Sequence, residues 1–146
     1  INITLSTSNF LETLGSQAPG NLVRALDPNF MLGALGQSAE LGGSSTFLII
    51  KLLSFENAFS GMLLWEKDMA RDIGPLFSTA LLLRDIPSES VFIDITDRNK
   101  DIRALTYEEQ PILLYSFFDS KMLIITDNIE TLRTVIDRLT REKLSR

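Results

Sequence analysis

The alternation of apolar and polar residues predicts a chain in which strands are combined with two long amphipathic helices. The first long helix begins after Ser54, which can cap it, and ends at Gly74 and Pro75. Its apolar stripe, with spacings of three and four residues, consists of Ala58, Met62, Trp65, Met69 and Ile73. The last helix begins at Asp127, which has capping-box spacing to Glu130. Its stripe consists of Ile129, Leu132, Val135, Ile136 and Leu139.

Six shorter apolar runs, separated by turn-forming residues, have the pattern of strands. They lie at 29–35, 46–53, 91–96, 102–107, 112–118 and 122–126. Polar residues at 97–100 and 108–111 predict turns, and a Gly/Ser-rich loop is predicted over 36–46. Residues 76–90 fit either a helical turn or a buried strand, and this choice stays open.

These elements predict one α+β domain over 1–146, with a short helical segment at about 7–27 and a core over 29–144. A strand-strand-helix order occurs twice, once with each long helix. We therefore expect a mostly antiparallel sheet with both long helices packed on one face. The repeated order has two explanations, an internal duplication or the chance recurrence of a common unit.

The composition excludes several classes of chemistry, because the residue types that they need are absent. Hydrophobic residues make up 45% and charged residues 23% of the 146 residues, which is typical of a globular domain. The net charge of −5 has the wrong sign for a surface that neutralises nucleic-acid phosphates, so no nucleic-acid partner is predicted. The chain has no cysteine and no histidine, which excludes disulfides, the usual zinc sites and triads with a histidine base.

Motifs for nucleotide binding or for a serine nucleophile are also absent, so we predict no cofactor and no catalytic residue of these kinds. The longest apolar stretch is far shorter than the ~20 residues that span a bilayer, so the chain itself is expected to be soluble.

Three acidic residues on the first long helix are the candidate site for acid–base chemistry. Glu66, Asp68 and Asp72 share this helix, and the i,i+4 spacing of the two aspartates brings their carboxylates to one face. Glycoside hydrolases use such a pair of carboxylates. Lys67 and Arg71 are interleaved with the acids, which is typical of an exposed, salt-bridged helix face. We favour this second interpretation.

A second candidate site is the acidic turn that begins at Asp97. Asp97, Asn99 and Asp101 occupy positions 1, 3 and 5 of a calcium-loop pattern, and Glu108 occupies position 12. Position 6, normally a glycine that permits a sharp turn, is Ile102. A polar turn between two strands is therefore the better interpretation.

Two residues of the first long helix carry packing predictions. Trp65 is expected in the core, with its indole N–H bonded to a backbone carbonyl or a Glu side chain. Gly61 lies in mid-helix, where glycine costs about 1 kcal/mol against alanine, so it predicts the close approach of another element.

Four segments resemble an uncharacterised family of bacterial proteins that carry a membrane-anchoring helix upstream of a soluble domain. They are PNFMLG (28–33), FSGMLLWEKDM (59–69), RNKDIRAL (98–105) and LLYSFFDSKMLIIT (113–126). The resemblance covers about 10–139, departs from the family pattern at 76–90, and includes no catalytic signature. It implies that an anchor has been removed ahead of Ile1. It also implies a domain at the extracytoplasmic face of the cell membrane, attached to the membrane only through that absent anchor.

Two functions remain open. The first is a non-catalytic binding or assembly domain that contacts a protein partner, or itself, through a sheet face or edge. The alternative is a carboxylate-dependent hydrolase that uses Glu66, Asp68 or Asp72, with a divalent cation near 97–101. A concave pocket in which two of these carboxylates meet would favour the hydrolase, whereas an exposed apolar patch or an unpaired strand edge would favour the binding domain.

Overall fold

The computed structural model describes residues 5–36 and 44–144, which form an antiparallel six-stranded sheet with helices on both faces. The strands are β1 (Leu26–Gly36), β2 (Ser44–Leu52), β3 (Ile93–Asp97), β4 (Lys100–Tyr107), β5 (Gln110–Asp119) and β6 (Met122–Thr126). Their order across the sheet is β1-β2-β6-β5-β4-β3, so that β1 and β3 are the two edge strands. Most of the predicted Gly/Ser-rich loop at 36–46 lies outside the described residues.

The described residues also contain five α-helices, and the two long ones are those that the apolar stripes predict. They are α1 (Thr7–Thr13), α2 (Gly20–Ala25), α3 (Phe55–Ile73), α4 (Ala80–Arg84) and α5 (Ile129–Leu144). Ser54 caps α3 as expected, because its hydroxyl accepts a hydrogen bond from the backbone N–H of Asn57. A 3₁₀ turn, Gly74–Leu76, follows α3. The ambiguous segment 76–90 forms α4 and turns rather than a strand.

Both faces of the sheet are apolar, and each is covered by different helices. On β2, Leu48 and Ile50 belong to one core layer, whereas Phe47 and Ile49 belong to the other, because successive side chains of a strand point to opposite faces. The face of Leu48, here called the α3 face, is covered by α1, α2, α3 and α4. The opposite face, here called the α5 face, is covered by α5.

The α+β class and the antiparallel sheet are confirmed, but the two long helices lie on opposite faces of the sheet and not on one. The reason is that β2, β5 and β6 are apolar on both sides, so each side needs its own covering layer. The two strand-strand-helix units are present as β1-β2-α3 and β5-β6-α5. A two-fold axis that exchanges the antiparallel neighbours β2 and β6 would keep both helices on one face. The arrangement therefore favours chance recurrence over a symmetric duplication.

Gly61 allows α2 to approach α3 closely, as its mid-helix position predicts. A Cβ atom at Gly61 would lie 2.5 Å from Cβ of Leu22 and 3.0 Å from its Cα. Trp65, one turn further along α3, is buried, and its indole N–H donates to Asp72 Oδ2 at 2.9 Å. The core position of Trp65 is confirmed, but its partner is an aspartate.

The predicted turns at 97–100 and 108–111 are hairpin loops with two residues of positive φ. Arg98 and Asn99 connect β3 to β4 with φ angles of 48° and 66°. Glu108 and Glu109 connect β4 to β5 with φ angles of 50° and 68°. Two successive residues with positive φ define a type I′ turn, which matches the twist of the flanking strands.

The cap of α5 differs from the prediction by one residue. Asn128, not Asp127, accepts hydrogen bonds through its side-chain Oδ1, from the backbone N–H of Glu130 at 2.8 Å and of Thr131 at 3.2 Å. The spacing of a capping box alone therefore placed the cap one position too early.

Candidate functional site

Glu66 lies in a hydrogen-bonded network that joins α3 to the sheet. Arg103 on β4 donates from Nε to Oε2 at 2.8 Å and from Nη2 to Oε1 at 2.7 Å, while the Tyr115 hydroxyl donates to Oε2 at 2.6 Å. Arg103 also donates to Asp94 Oδ1 at 3.0 Å. The hydrogen bond to Glu66 raises the pKa of Arg103, and burial raises the pKa of Tyr115. Both carboxylate oxygens of Glu66 are thus occupied by partners within the fold.

Asp68 and Asp72 meet at Arg71, so the predicted ion pairs are present, but the prediction of an exposed helix face is wrong, because the Asp72 side chain is only 1% exposed. Arg71 Nη2 donates to Asp68 Oδ1 at 3.1 Å and to Asp72 Oδ1 at 3.2 Å. Asp72 is buried, and its Oδ2 accepts from Trp65 Nε1 and, at 2.7 Å, from the backbone N–H of Gln17. Asp72 therefore attaches the segment between α1 and α2 to α3.

The four candidate calcium ligands are not brought together. Asp97, at the end of β3, receives two hydrogen bonds from Arg133 of α5, at 2.9 Å from Nε and 2.6 Å from Nη2, and this contact holds the pKa of Asp97 below its ordinary value. Asn99 lies in the turn and Asp101 on β4, but Glu108 follows the far end of β4, roughly 20 Å from Asp101 at ~3.3 Å per residue. Across 5–36 and 44–144, no three acidic side chains form a group that could hold a metal ion.

Asp127 has a structural role that its sequence context does not indicate. It is buried, and it accepts hydrogen bonds from the Ser45 hydroxyl and from both the backbone N–H and the hydroxyl of Ser78, at 2.9 Å and 2.6 Å. It thereby joins β2 to the loop that precedes α4. The only sequence signal was an acidic residue directly after the apolar run of β6, which does not identify the two serines.

A groove of about 860 Å³ lies on the α3 face between the second half of α3, α4 and segment 86–92; we call it the α3–α4 groove. Its apolar lining includes Leu63, Ala70, Leu81, Leu83, Ile86 and Val91. Lys67, Arg71 and Arg84 also line it. Of the three candidate carboxylates on α3, Glu66 alone belongs to this lining. The groove therefore does not provide the pair of carboxylates that a hydrolase needs.

The outer side of β1 is an uncharged strand edge. Residues 28–36, PNFMLGALG, contain no charged side chain, and no strand of the described residues pairs with β1 on the side away from β2. Met31 is 58% exposed and Leu32 is 44% exposed. They lie on opposite faces, because Met31 is opposite Ile49 and Leu32 is opposite Leu48 in the register with β2. Within the described residues, this β1 edge is an unpaired strand edge with exposed apolar side chains.

Comparisons with protein families, with curated protein sequences and with solved structures find no match to this chain. Within the described part of the chain, no helix is both long and apolar enough to cross a membrane.

Proposed function

We propose that this chain is a non-catalytic assembly domain that self-associates by pairing its β1 edge with the β1 edge of a second copy. The observation that carries the proposal is the combination of a backbone edge that no described strand pairs with, absent charge and exposed apolar side chains along 28–36. An edge strand of this kind is a ready template for another strand. Soluble proteins usually protect such edges with charge, proline or a bulge, and here the proline and the register shift lie at one end of β1, at Pro28 and between Leu26 and Phe30, so the unprotected part is 30–36.

A second copy is the partner that the chemistry of this edge fits. A two-fold axis beside β1 would place the strand antiparallel to itself and extend the sheet across both molecules. Like charges opposite each other destabilise paired strands, and 28–36 brings none to the seam. Met31 on one face and Leu32 on the other would both be covered by the partner strand. The edge is therefore self-complementary on both faces.

Sedimentation velocity over a range of concentrations tests this proposal. The wild-type chain is expected to form a dimer. Leu32→Lys is expected to raise the dissociation constant of this dimer by at least about tenfold, because it would bring two lysines to one interface. Ile93→Lys is the matched control: Ile93 lies on the other edge strand and is also 44% exposed. We expect it to leave the dimer intact.

Two results would overturn the proposal. One is a wild-type chain that stays monomeric at every concentration. The other is an equal loss of association in both lysine variants, which would place the contact away from the β1 edge.

We further propose that the domain works at the extracytoplasmic face of a bacterial cell membrane, to which an upstream anchor attaches it. The support is the resemblance of the four segments named above to the membrane-anchored family. Fractionation of cells that express the complete gene product tests this location. The protein should sediment with membranes and be digested by protease added to intact spheroplasts. Recovery in the soluble cytoplasmic fraction would contradict the proposal.

A further inference from the structure

The α3–α4 groove combines an apolar lining with cationic side chains, on a chain whose net charge is −5. Leu81 and Val91 line it and are 66% and 72% exposed. Exposed apolar side chains of this size that line a groove are typical of a ligand site. The volume, about 860 Å³, lies within the range of small-molecule sites.

The charged groups of the groove favour an anion. Glu66 is the acidic residue of the lining, and both of its oxygens accept hydrogen bonds from Arg103 or Tyr115. Lys67, by contrast, has no ion pair with the described residues. Among the described residues, Arg84 has one ion pair, an exposed one with Asp85 at 3.6 Å, and exposed pairs of this kind are weak. Two cationic side chains are thus available to a ligand.

The shape and polarity favour an acyl chain over an extended peptide. The wall formed by α3 runs from Leu63 to Arg71, about 12 Å at 1.5 Å rise per residue. The backbone groups of this wall are bonded within the helix, so an extended peptide laid along it would find no backbone hydrogen-bond partner there, which is costly. A hydrocarbon chain has no such groups.

We propose that the α3–α4 groove binds a monomeric acyl carboxylate, with the hydrocarbon tail along α3 and the carboxylate on Lys67 and Arg84. This is a second binding site, on a different part of the molecule from the β1 edge, and it does not depend on self-association.

Isothermal titration calorimetry with dodecanoate, below its micellar concentration, tests the proposal on the 146-residue chain. We expect one dodecanoate per chain. Dodecyltrimethylammonium has the same tail and the opposite charge, and it should bind at least about tenfold more weakly. Leu32→Lys, which alters only the β1 edge, should leave dodecanoate binding unchanged.

Variants distinguish the groove from other apolar surface. Ala70→Trp should abolish binding, because the indole would occupy the groove; near-ultraviolet circular dichroism checks that the variant is folded. The double variant Lys67→Glu/Arg84→Glu should weaken binding about tenfold. Its control is Lys51→Glu/Lys121→Glu, which changes the net charge equally at two exposed lysines outside the groove lining and should leave the affinity within about twofold.

Absence of dodecanoate binding to the wild-type chain would overturn the proposal. Equal binding of the anionic and cationic amphiphiles would overturn it as well, since the two cationic residues would then have no role. Full binding by folded Ala70→Trp would show that the ligand lies elsewhere.

Discussion

β1 and β3 form the two ends of one sheet, and they differ in length, in charge and in how they are attached. β1 has 11 residues and is uncharged from 28 to 36, whereas β3 has five residues, two of which are aspartates. The β3 aspartates are both ion-paired: Asp94 with Arg103 of β4, and Asp97 with Arg133 of α5. β1 is held instead by aromatic rings. Phe47 packs over Gly33, and Phe10 of α1 is stacked on Phe30 with ring centroids 4.7 Å apart.

This difference shows that one sheet can protect its two edges unequally. A short strand with charged side chains is a poor template for a further strand, while a long uncharged one is a good template. The two aspartates therefore make β3 a poor template. On β1, Asp27 and Pro28 lie at one end, and no described strand covers the outer side of 30–36. The β1 edge is for this reason better suited than the β3 edge to pair with a strand of a partner.

The largest effect on this comparison is expected from Phe47→Ala, which removes the ring that covers Gly33. Phe47 is buried and belongs to the core of the α5 face, and loss of a buried Phe costs about 3–4 kcal/mol in the free energy of unfolding. Ile95→Ala on β3 is the control, since Ile95 faces the same core but is only half-buried; its cost should be less than half. Urea unfolding followed by the fluorescence of the single Trp measures both. Equal losses would show that β1 does not depend on this ring.

A smaller effect is expected beside β3, from Arg103→Met on the neighbouring strand β4. This change leaves the half-buried Glu66 without its bidentate partner, and we expect a loss of about 2 kcal/mol in the free energy of unfolding. Asp94→Asn removes the carboxylate that is the other partner of Arg103. Because the Asp94 side chain is 87% exposed, this change should alter the free energy of unfolding by less than about 0.5 kcal/mol. If Asp94→Asn were as damaging as Arg103→Met, the contact with the exposed edge, and not that with α3, would be the important one.

Much of the fold could be predicted because its signals are local. The stripe of α3 and the alternation in β5 and β6 are readable within a few residues, and the Asp68–Arg71 pair has helical i,i+3 spacing. The partners of Glu66 could not be predicted in this way: Arg103 is 37 residues away and Tyr115 is 49. The placement of α5 was missed for a related reason. A strand that is apolar on both sides does not indicate which side its following helix covers.

The turn beside β3 offers a change in the opposite direction. Arg98 has a φ of 48°, which residues other than Gly, Asn and Asp adopt at a cost. Arg98→Asn/Asn99→Gly would install the preferred type I′ sequence and should increase the free energy of unfolding by about 1 kcal/mol. The double substitution also removes the ion pair between Arg98 and Asp137 at 3.9 Å, but both side chains are exposed and the pair contributes little.

Urea unfolding measures the gain in the free energy of unfolding. Sedimentation should show unchanged self-association, since the change lies at the opposite edge from β1. Destabilisation would mean that Arg98 makes a contribution beyond this exposed pair.

The smallest effect is a pH dependence of the free energy of unfolding, which we expect from β3 and not from 28–36. Hydrogen bonds from Arg133 keep the pKa of Asp97 below its ordinary 3.8 in the folded chain, so folding favours the ionised carboxylate. The stabilisation is therefore complete above about pH 5 and is lost as the pH falls through the lowered pKa. The difference in urea midpoint between the wild type and Asp97→Asn should be largest near pH 6 and should shrink toward pH 3.

Because 28–36 contains no titratable side chain, the corresponding difference for Gly33→Val, which forces Phe47 away from β1, should stay constant over the same range. A constant difference for Asp97→Asn would instead show that the Asp97 carboxylate holds β3 through contacts that its protonated form makes equally well.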